Sequence, residues 1–178
     1  MNKDKQRKII RNRLKRLSIF EKMVYSDIIS QKLFDLIEVY NPKIVMSYMA
    51  LEDEVNLKRL HSLLSRKGIK LCFPVVEEDV INAYMSNRFA KGRFNILQPE
   101  DGIMIKKEDI DIIVVPCVGF DNNANRLGHG KGYYDKYLQD YQGKKFSAAF
   151  EIQKLNKIDT EQNDVKMNRI ITEKGVYL

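Results

Sequence analysis

The stretch IDIIVVP at residues 110–116 decides the fold, because it is the strongest strand signal in the chain. After Asp111 its residues are apolar without alternation, which is the pattern of a strand buried on both faces of a sheet. Working outward, apolar runs predict further strands at residues 43–49, 69–76, 80–86, 146–150 and 169–172. Segments with helical spacing separate several of these runs. This alternation predicts an α/β fold with three layers, a Rossmann-like, mostly parallel or mixed sheet with helices on both faces.

The helix signals begin at the N-terminus. Residues 3–16 lack Gly and Pro and place apolar residues at helical spacing, so a basic amphipathic helix is expected there. Ser18 and Glu21 then form a capping-box pattern, which predicts the start of a second helix that ends before Pro42. Two further helices are predicted, at residues 56–67 and 133–141. No repeat, low-complexity tract or linker is visible, so we expect a single α/β domain over residues 1–178.

Positive charge is concentrated in the first helix. The chain has 178 residues, of which 31 are basic and 24 acidic, and its formal net charge is +7. Residues 1–16 hold eight basic side chains and one acid, so the rest of the chain is neutral on balance. A protein that coats nucleic acid carries its charge over a broader surface, so no nucleic-acid partner is expected.

The cysteines and the hydropathy indicate a compartment. Cys72 and Cys117 lie far apart in separate apolar segments, which favours buried free thiols in a reducing environment. No apolar run approaches the ~20 residues of a membrane span, and the basic N-terminal segment lacks the apolar core of a secretory signal. We expect a cytoplasmic protein with no membrane partner, present as a monomer or a weak homo-oligomer.

A glycine-rich loop follows the central predicted strand. Residues 126–135 read RLGHGKGYYD, with a helix predicted to start inside this segment. In open α/β sheets, ligands bind beyond the carboxyl ends of the strands, so a strand, a glycine-rich loop and a helix in this order mark a candidate site. The residues suited to binding a phosphate through amides or charge are Gly128, Gly130, Gly132, Arg126 and Lys131. The spacing matches neither the dinucleotide GxGxxG pattern nor the P-loop, so a plain turn and a phosphate site both stay open.

The longer stretch PCVGFDNNANRLGHGKGYYDKYL at residues 116–138 resembles the signature of the 5-formyltetrahydrofolate cyclo-ligase family, also called methenyltetrahydrofolate synthetases. The resemblance extends over most of the chain, including YMALEDEV at residues 48–55 and QNDVKMNRII at residues 162–171. It implies a fold similar to that of sugar-phosphate isomerases and CoA transferases. It also implies ATP- and Mg²⁺-dependent conversion of 5-formyltetrahydrofolate to 5,10-methenyltetrahydrofolate, with release of ADP and phosphate. In that reaction N10 attacks a phosphorylated formyl group, an iminium phosphate.

The resemblance and the residue types together assign site residues. ATP binding is expected of Lys3, Arg7, Arg126, Gly128, His129, Gly130, Lys131, Gly132, Tyr133 and Tyr134. Substrate binding is expected of Met49, Glu54, Phe94, His129 and Tyr133. Catalytic roles are expected of Lys131, Arg126 and Tyr133, and Mg²⁺ ligation of Asp135 and Asp164. The basic helix over residues 3–16 is expected to pack at the nucleotide site.

Other interpretations stay open. A binding module could use the basic helix on RNA or on an anionic membrane surface. A sugar-phosphate isomerase-like enzyme could use the loop for a phosphate without ATP, and Glu54 would be its only obvious carboxylate base. Asp121 is a weaker site candidate with equal support as the cap of a turn. His61 is expected to be structural.

Overall fold

The computed structural model describes residues 1–92 and 96–178. Its helices are α1 (Lys3–Leu14), α2 (Ile19–Glu38), α3 (Lys58–Arg66) and α4 (Tyr133–Leu138). Its strands are β1 (Ile44–Met46), β2 (Lys70–Glu77), β3 (Val80–Met85), β4 (Phe89–Lys91), β5 (Leu97–Pro99), β6 (Ile103–Ile105), β7 (Ile112–Val115), β8 (Gly119–Phe120), β9 (Arg126–Leu127), β10 (Lys144–Ala148), β11 (Arg169–Ile171) and β12 (Val176–Tyr177). None of the described helices is long and apolar enough to cross a membrane.

Strand β7, the core of the stretch that decides the fold, lies inside the main sheet with all its residues buried. Among the described residues, this sheet has the strand order β12-β11-β10-β7-β1-β2-β3-β6. Strands β2, β1, β7, β10 and β11 run parallel to their neighbours within this group. Strands β12, β3 and β6 extend the two sides in antiparallel pairing. The predicted mostly parallel or mixed sheet is confirmed.

Alternate residues of β7 face two different helical layers. Ile112 and Val114 belong to a buried cluster that also contains side chains of α1, α2 and α3. Ile113 and Val115 belong to a second cluster, which contains Leu138 of α4. Helices therefore cover both faces of the sheet, and the three-layer prediction is confirmed.

The strand order places a crevice between β1 and β7. The chain passes from β1 through α3 to β2 on one side, and from β7 through α4 to β10 on the other. Because the two connections leave in opposite directions, the loops after β1 and β7 separate at the carboxyl edge of the sheet. Such switch points are where open α/β sheets bind ligands.

Several element boundaries differ from the predictions: α3, α4 and β1 are shorter than predicted, and the boundaries of α1 and β10 differ for local reasons. Helix α1 ends at Leu14 because the chain turns there into the capping box of α2, in which the Ser18 hydroxyl accepts from the Glu21 amide at 3.1 Å. Strand β10 begins at Lys144, earlier than the apolar run at residues 146–150. Its first residues pair with β7 although their side chains are charged, so hydrophobicity gave no signal for them.

Candidate active site

A cleft of about 1040 Å³ opens at the switch point. Its walls come from the loop after β1, the β2–β3 hairpin, the start of α1, the loop from β9 into α4, and the segment before β11. The predicted site residues that line it are Lys3, Arg7, Met49, Glu54, Arg126, Gly128, His129, Gly130, Lys131, Gly132, Tyr133, Tyr134, Asp135 and Asp164. Phe94 lies outside the described residues. The fold thus brings together groups that are up to 161 positions apart in sequence, while their roles stay predictions.

Asp121 fixes the hairpin that presents the glycine-rich loop. It is 1% exposed, and its Oδ1 accepts from the amides of Asn123 and Asn125 at 3.0 and 3.1 Å. Its Oδ2 accepts from the amide of Ile158 at 2.9 Å. Backbone amides of the β8–β9 turn and of Ile158 thus occupy both carboxylate oxygens of Asp121. These contacts support a role for Asp121 as the cap of a turn and not as a site residue.

The backbone of the loop requires glycine at two positions. Gly130 has φ +100° and Gly132 has φ +71°, both in the left-handed region that disfavours a side chain. A Cβ on Gly130 would also lie 3.2 Å from the Arg7 guanidinium carbon. The loop therefore keeps its backbone accessible to a ligand and packs closely against α1.

Arg126 is a buried cation inside the cleft, and one of its hydrogen-bond donors has no partner. The residue is 7% exposed, and its Nη2 donates to Asp135 Oδ1 at 2.8 Å. Its Nη1 donates to the Pro116 carbonyl at 3.3 Å, but its buried Nε has no hydrogen-bond partner. An unsatisfied buried donor on a charged group is costly, so this position is suited to an anionic ligand.

Helix α1 contributes two cations, Lys3 and Arg7, to the lining of the cleft. Arg7 donates from Nε to the Gly128 carbonyl at 2.9 Å and pairs with Asp4 at 2.7 Å. Lys3 pairs with Asp164 at 2.7 Å and with Glu161 at 3.2 Å. Burial lowers the pKa of Lys3, but the hydrogen bonds to these two carboxylates outweigh it, so the pKa is raised. The pairs hold the first turn of the helix against the body.

A carboxylate and an imidazole meet where the loop after β1 contacts the glycine-rich loop. Glu54 is 8% exposed, and its Oε2 accepts from the Leu51 amide at 2.8 Å. Its Oε1 lies 2.8 Å from His129 Nε2. The pair connects the loop after β1 with the glycine-rich loop, and Met49 lies on the same wall.

The two tyrosines that open α4 have different surroundings. Tyr133 donates from its hydroxyl to Asp79 Oδ1 at 3.0 Å, across to the turn between β2 and β3. The hydroxyl of Tyr134 is buried without a hydrogen-bond partner, and burial raises the pKa of this phenol. Lys131 is exposed on the rim. Sequence reasoning missed Asp79, because a carboxylate in a polar hairpin turn carries no signal of a long-range contact.

The remaining predicted groups have structural surroundings. His61 Nε2 lies 2.8 Å from the Ser47 hydroxyl, and burial lowers the pKa of His61 to about 4, so a neutral ring is favoured. Cys72 and Cys117 are free and buried, as predicted. Burial raises the pKa of each thiol to about 12, which makes them poor nucleophiles.

Comparison with known proteins places the chain among folate enzymes. The model of the 5-formyltetrahydrofolate cyclo-ligase family matches residues 1–173. The chain is 28% identical to the 5-formyltetrahydrofolate cyclo-ligase of Mus musculus, over 92% of this chain and 90% of that protein.

Two solved structures are similar throughout. The 5,10-methenyltetrahydrofolate synthetase of Mycoplasma pneumoniae superposes with a TM-score of 0.82 at 27% identity, covering 97% of this chain and 99% of that one. The 5,10-methenyltetrahydrofolate synthetase of Aquifex aeolicus superposes with a TM-score of 0.87 at 32% identity, covering 99% of this chain and 92% of that one.

Proposed function

The chain belongs to the 5-formyltetrahydrofolate cyclo-ligase family and is an enzyme of that type, and we propose that its cleft performs the reaction with ATP and Mg²⁺. In this proposal 5-formyltetrahydrofolate and ATP bind side by side and leave as 5,10-methenyltetrahydrofolate, ADP and phosphate. We propose that each cleft residue has the role that the sequence predicts for it.

One observation carries the proposal: the buried Arg126 guanidinium has an unpartnered Nε in a cleft that also holds the glycine-rich loop. A phosphate oxygen at this point would satisfy the free donor. The loop adds backbone amides at Gly130 and Gly132, where no side chain blocks the approach. Lys131 on the rim adds a mobile positive charge.

The apolar part of the cleft lining suits an organic ring system that carries polar groups. Its lining residues include Tyr48, Met49, Pro74, Val76 and Ile81. Apolar walls with a few fixed polar groups are typical of sites for organic ligands. The Glu54 carboxylate, 8% exposed, supplies such a polar group. We therefore assign the pterin to this part and the triphosphate to the cationic part.

The chemistry explains why two ligands must share one cleft. The N5-formyl group is an amide, so its carbon is a weak electrophile and its oxygen leaves poorly. Transfer of the γ-phosphoryl group to this oxygen converts it into a phosphate leaving group, and N10 of the same molecule then attacks the carbon. Arg126 and Lys131 would stabilise charge on the transferring group, and the loop would hold it in line.

The residues present fit Mg²⁺ carried by the nucleotide. Asp135 and Asp164 both line the cleft. Among residues 1–92 and 96–178, no group of three or more His, Cys, Asp or Glu side chains could enclose a metal ion. Mg²⁺ commonly takes one or two carboxylates and completes its shell with phosphate oxygens and water. When bound, it would neutralise charge on the phosphate oxygens.

The test is a rate assay on the near-ultraviolet absorbance of the methenyl product. Mixing the protein with 5-formyltetrahydrofolate and Mg-ATP should give a rising signal that disappears when ATP or Mg²⁺ is omitted. Lys131→Ala should lower the rate by about 100-fold or more. Lys106→Ala, an exposed lysine outside the cleft, is the matched control and should act like wild type.

Two outcomes would contradict the proposal. Conversion that needs no nucleotide would favour an isomerase-like enzyme. No conversion together with salt-sensitive RNA binding that is lost when the exposed cations of α1 are neutralised would favour the binding module.

A further inference from the structure

The turn between β2 and β3 brings an acidic residue into contact with the start of α4, directly after the glycine-rich loop. Strand β2 ends at Glu77 and β3 starts at Val80, so Glu78 and Asp79 form the turn. Asp79 Oδ1 accepts the hydroxyl proton of Tyr133 at 3.0 Å. The two residues are 54 positions apart. Tyr133 lines the cleft, and Asp79 lies at the tip of the hairpin whose Val76 and Ile81 line it.

The backbone of this turn adopts a conformation that aims the carboxylate. Glu78 has φ +48° and Asp79 has φ +63°, the left-handed region that residues with side chains seldom occupy. Consecutive positive φ values are those of the tight hairpin turn that matches the twist of antiparallel strands. The Asp79 carboxylate thus lies on the tight turn of a hydrogen-bonded hairpin and not on a long loop.

Tyr133 is equally well placed on its own side. It is the first residue of α4 and follows Gly132, the last glycine of the loop. Its hydrogen bond therefore joins the loop that is proposed to hold phosphate to a hairpin whose Val76 and Ile81 line the proposed pterin part. The contact therefore ties the tip of the hairpin to a residue that lines the cleft.

We propose that Asp79 is a positioning residue that holds Tyr133 in the cleft lining, so that Tyr133 keeps water from the activated formyl group. The inference rests on the proposed function. It assigns Asp79 no contact with the reacting atoms, because its role is exerted through Tyr133.

The consequence is a defined side reaction when the contact is lost. Water in place of N10 adds to the formyl carbon of the iminium phosphate. The C–O bond to phosphate then breaks, the phosphate leaves with the former formyl oxygen, and the water oxygen remains as the new formyl oxygen. The protons of the water are released to the phosphate and to solvent. The net result is hydrolysis of ATP to ADP and phosphate with 5-formyltetrahydrofolate unchanged.

The experiment measures phosphate released per methenyl group formed, with the KM for ATP. Asp79→Ala should raise this ratio by about 3- to 10-fold, the range expected for an ordinary, solvent-exposed hydrogen bond, while the KM for ATP stays near wild type. Tyr133→Phe removes the same hydrogen bond from the other side and should raise the ratio to a similar extent. Asp79→Asn keeps an acceptor oxygen and should restore coupling. Glu78→Ala, the neighbouring exposed residue with the same backbone conformation, is the matched control.

The outcomes separate this inference from the function on which it rests. If wild type and Asp79→Ala release the same amount of phosphate per methenyl group formed, the role of Asp79 is overturned and the proposed function is not. Uncoupling by Asp79→Asn equal to that by Asp79→Ala would also overturn it, because the acceptor would then be irrelevant. A wild-type protein that forms no methenyl product with Mg-ATP would overturn the proposed function itself.

Discussion

Arg126 donates from Nη2 to Asp135 Oδ1 at 2.8 Å, so the cation proposed for phosphate is held by a carboxylate proposed for Mg²⁺. Lys3 and Asp164 repeat the relationship at 2.7 Å. Without ligands, these predicted groups neutralise one another, which avoids burying unpaired charges in the cleft. Binding of Mg-ATP would exchange partners, with the metal going to the carboxylates and the phosphates to the cations.

Breaking the Arg126–Asp135 ion pair should lower both the stability and the activity of the protein. The side chains are 3% and 21% exposed, so Asp135→Asn leaves a buried guanidinium without its counter-charge. We expect the free energy of unfolding to fall by about 1–3 kcal/mol, together with a severe loss of turnover. Denaturant titration measures the first effect. Asp140→Asn, whose side chain is 75% exposed, should cost less than about 1 kcal/mol. Equal losses in both variants would refute the special weight of the Arg126 pair.

In the proposed site, Lys3 would compete with a metal ion for Asp164 when no nucleotide is present. Lys3→Met removes the ammonium that lies 2.7 Å from this carboxylate. We therefore expect Mn²⁺, as a probe for Mg²⁺, to bind the variant about 3- to 10-fold more tightly than wild type in the absence of nucleotide. Electron paramagnetic resonance of free Mn²⁺ gives the affinity. Lys5→Met, an exposed change on the same helix, is the control, and unchanged Mn²⁺ affinity in Lys3→Met would speak against Asp164 as a ligand.

Substitutions at Gly130 and Gly68 should separate the effect of backbone strain on stability from the effect of the loop on ligand binding. Gly130→Ala forces a side chain into φ +100° and against Arg7, so we expect a loss of about 1–2 kcal/mol in stability and a raised KM for ATP. Gly68 has φ +76° with open space around it, so Gly68→Ala should cost similar stability without changing the KM. Steady-state kinetics beside thermal unfolding distinguish the two. An unchanged KM in Gly130→Ala would remove the loop from the nucleotide site.

His61 predicts a dependence of stability on pH. Burial lowers its pKa in the folded protein to about 4, from the usual 6.5 of a solvated imidazole. Below pH 6.5 the unfolded chain binds a proton that the folded chain does not, so stability falls as the pH drops towards 4. Between pH 6.5 and 5 this effect amounts to about 2 kcal/mol. His61→Gln keeps a donor and acceptor near Ser47 but cannot titrate, so its unfolding free energy should be flatter over this range. The same slope in both proteins would show that other groups cause it.

Local patterns predicted the parts of the fold that depend on local physics. The apolar run before Pro116 gave the central strand, and the Ser18 and Glu21 pattern gave the start of α2. The strands of the β8–β9 hairpin were missed, because two residues are too few to show a strand pattern. The contact of Asp121 with the Ile158 amide, 37 positions away, also has no local signal.

The candidate site was predictable as a set of residues but not as a network. The glycine-rich loop and its cations were visible in the sequence. The pairing of Lys3 with Asp164 joins residues 161 positions apart, and the Tyr133–Asp79 contact joins residues 54 positions apart. Neither has a spacing that periodicity could detect, because tertiary packing alone brings the partners together.

The most direct test of the central claim follows the formyl oxygen. A single turnover with 5-formyltetrahydrofolate labelled with oxygen-18 in the formyl group, followed by mass spectrometry of the released phosphate, reports whether phosphoryl transfer to that oxygen occurs. The account predicts that the label appears in the phosphate in step with methenyl formation. Unlabelled phosphate accompanying full methenyl formation would contradict it.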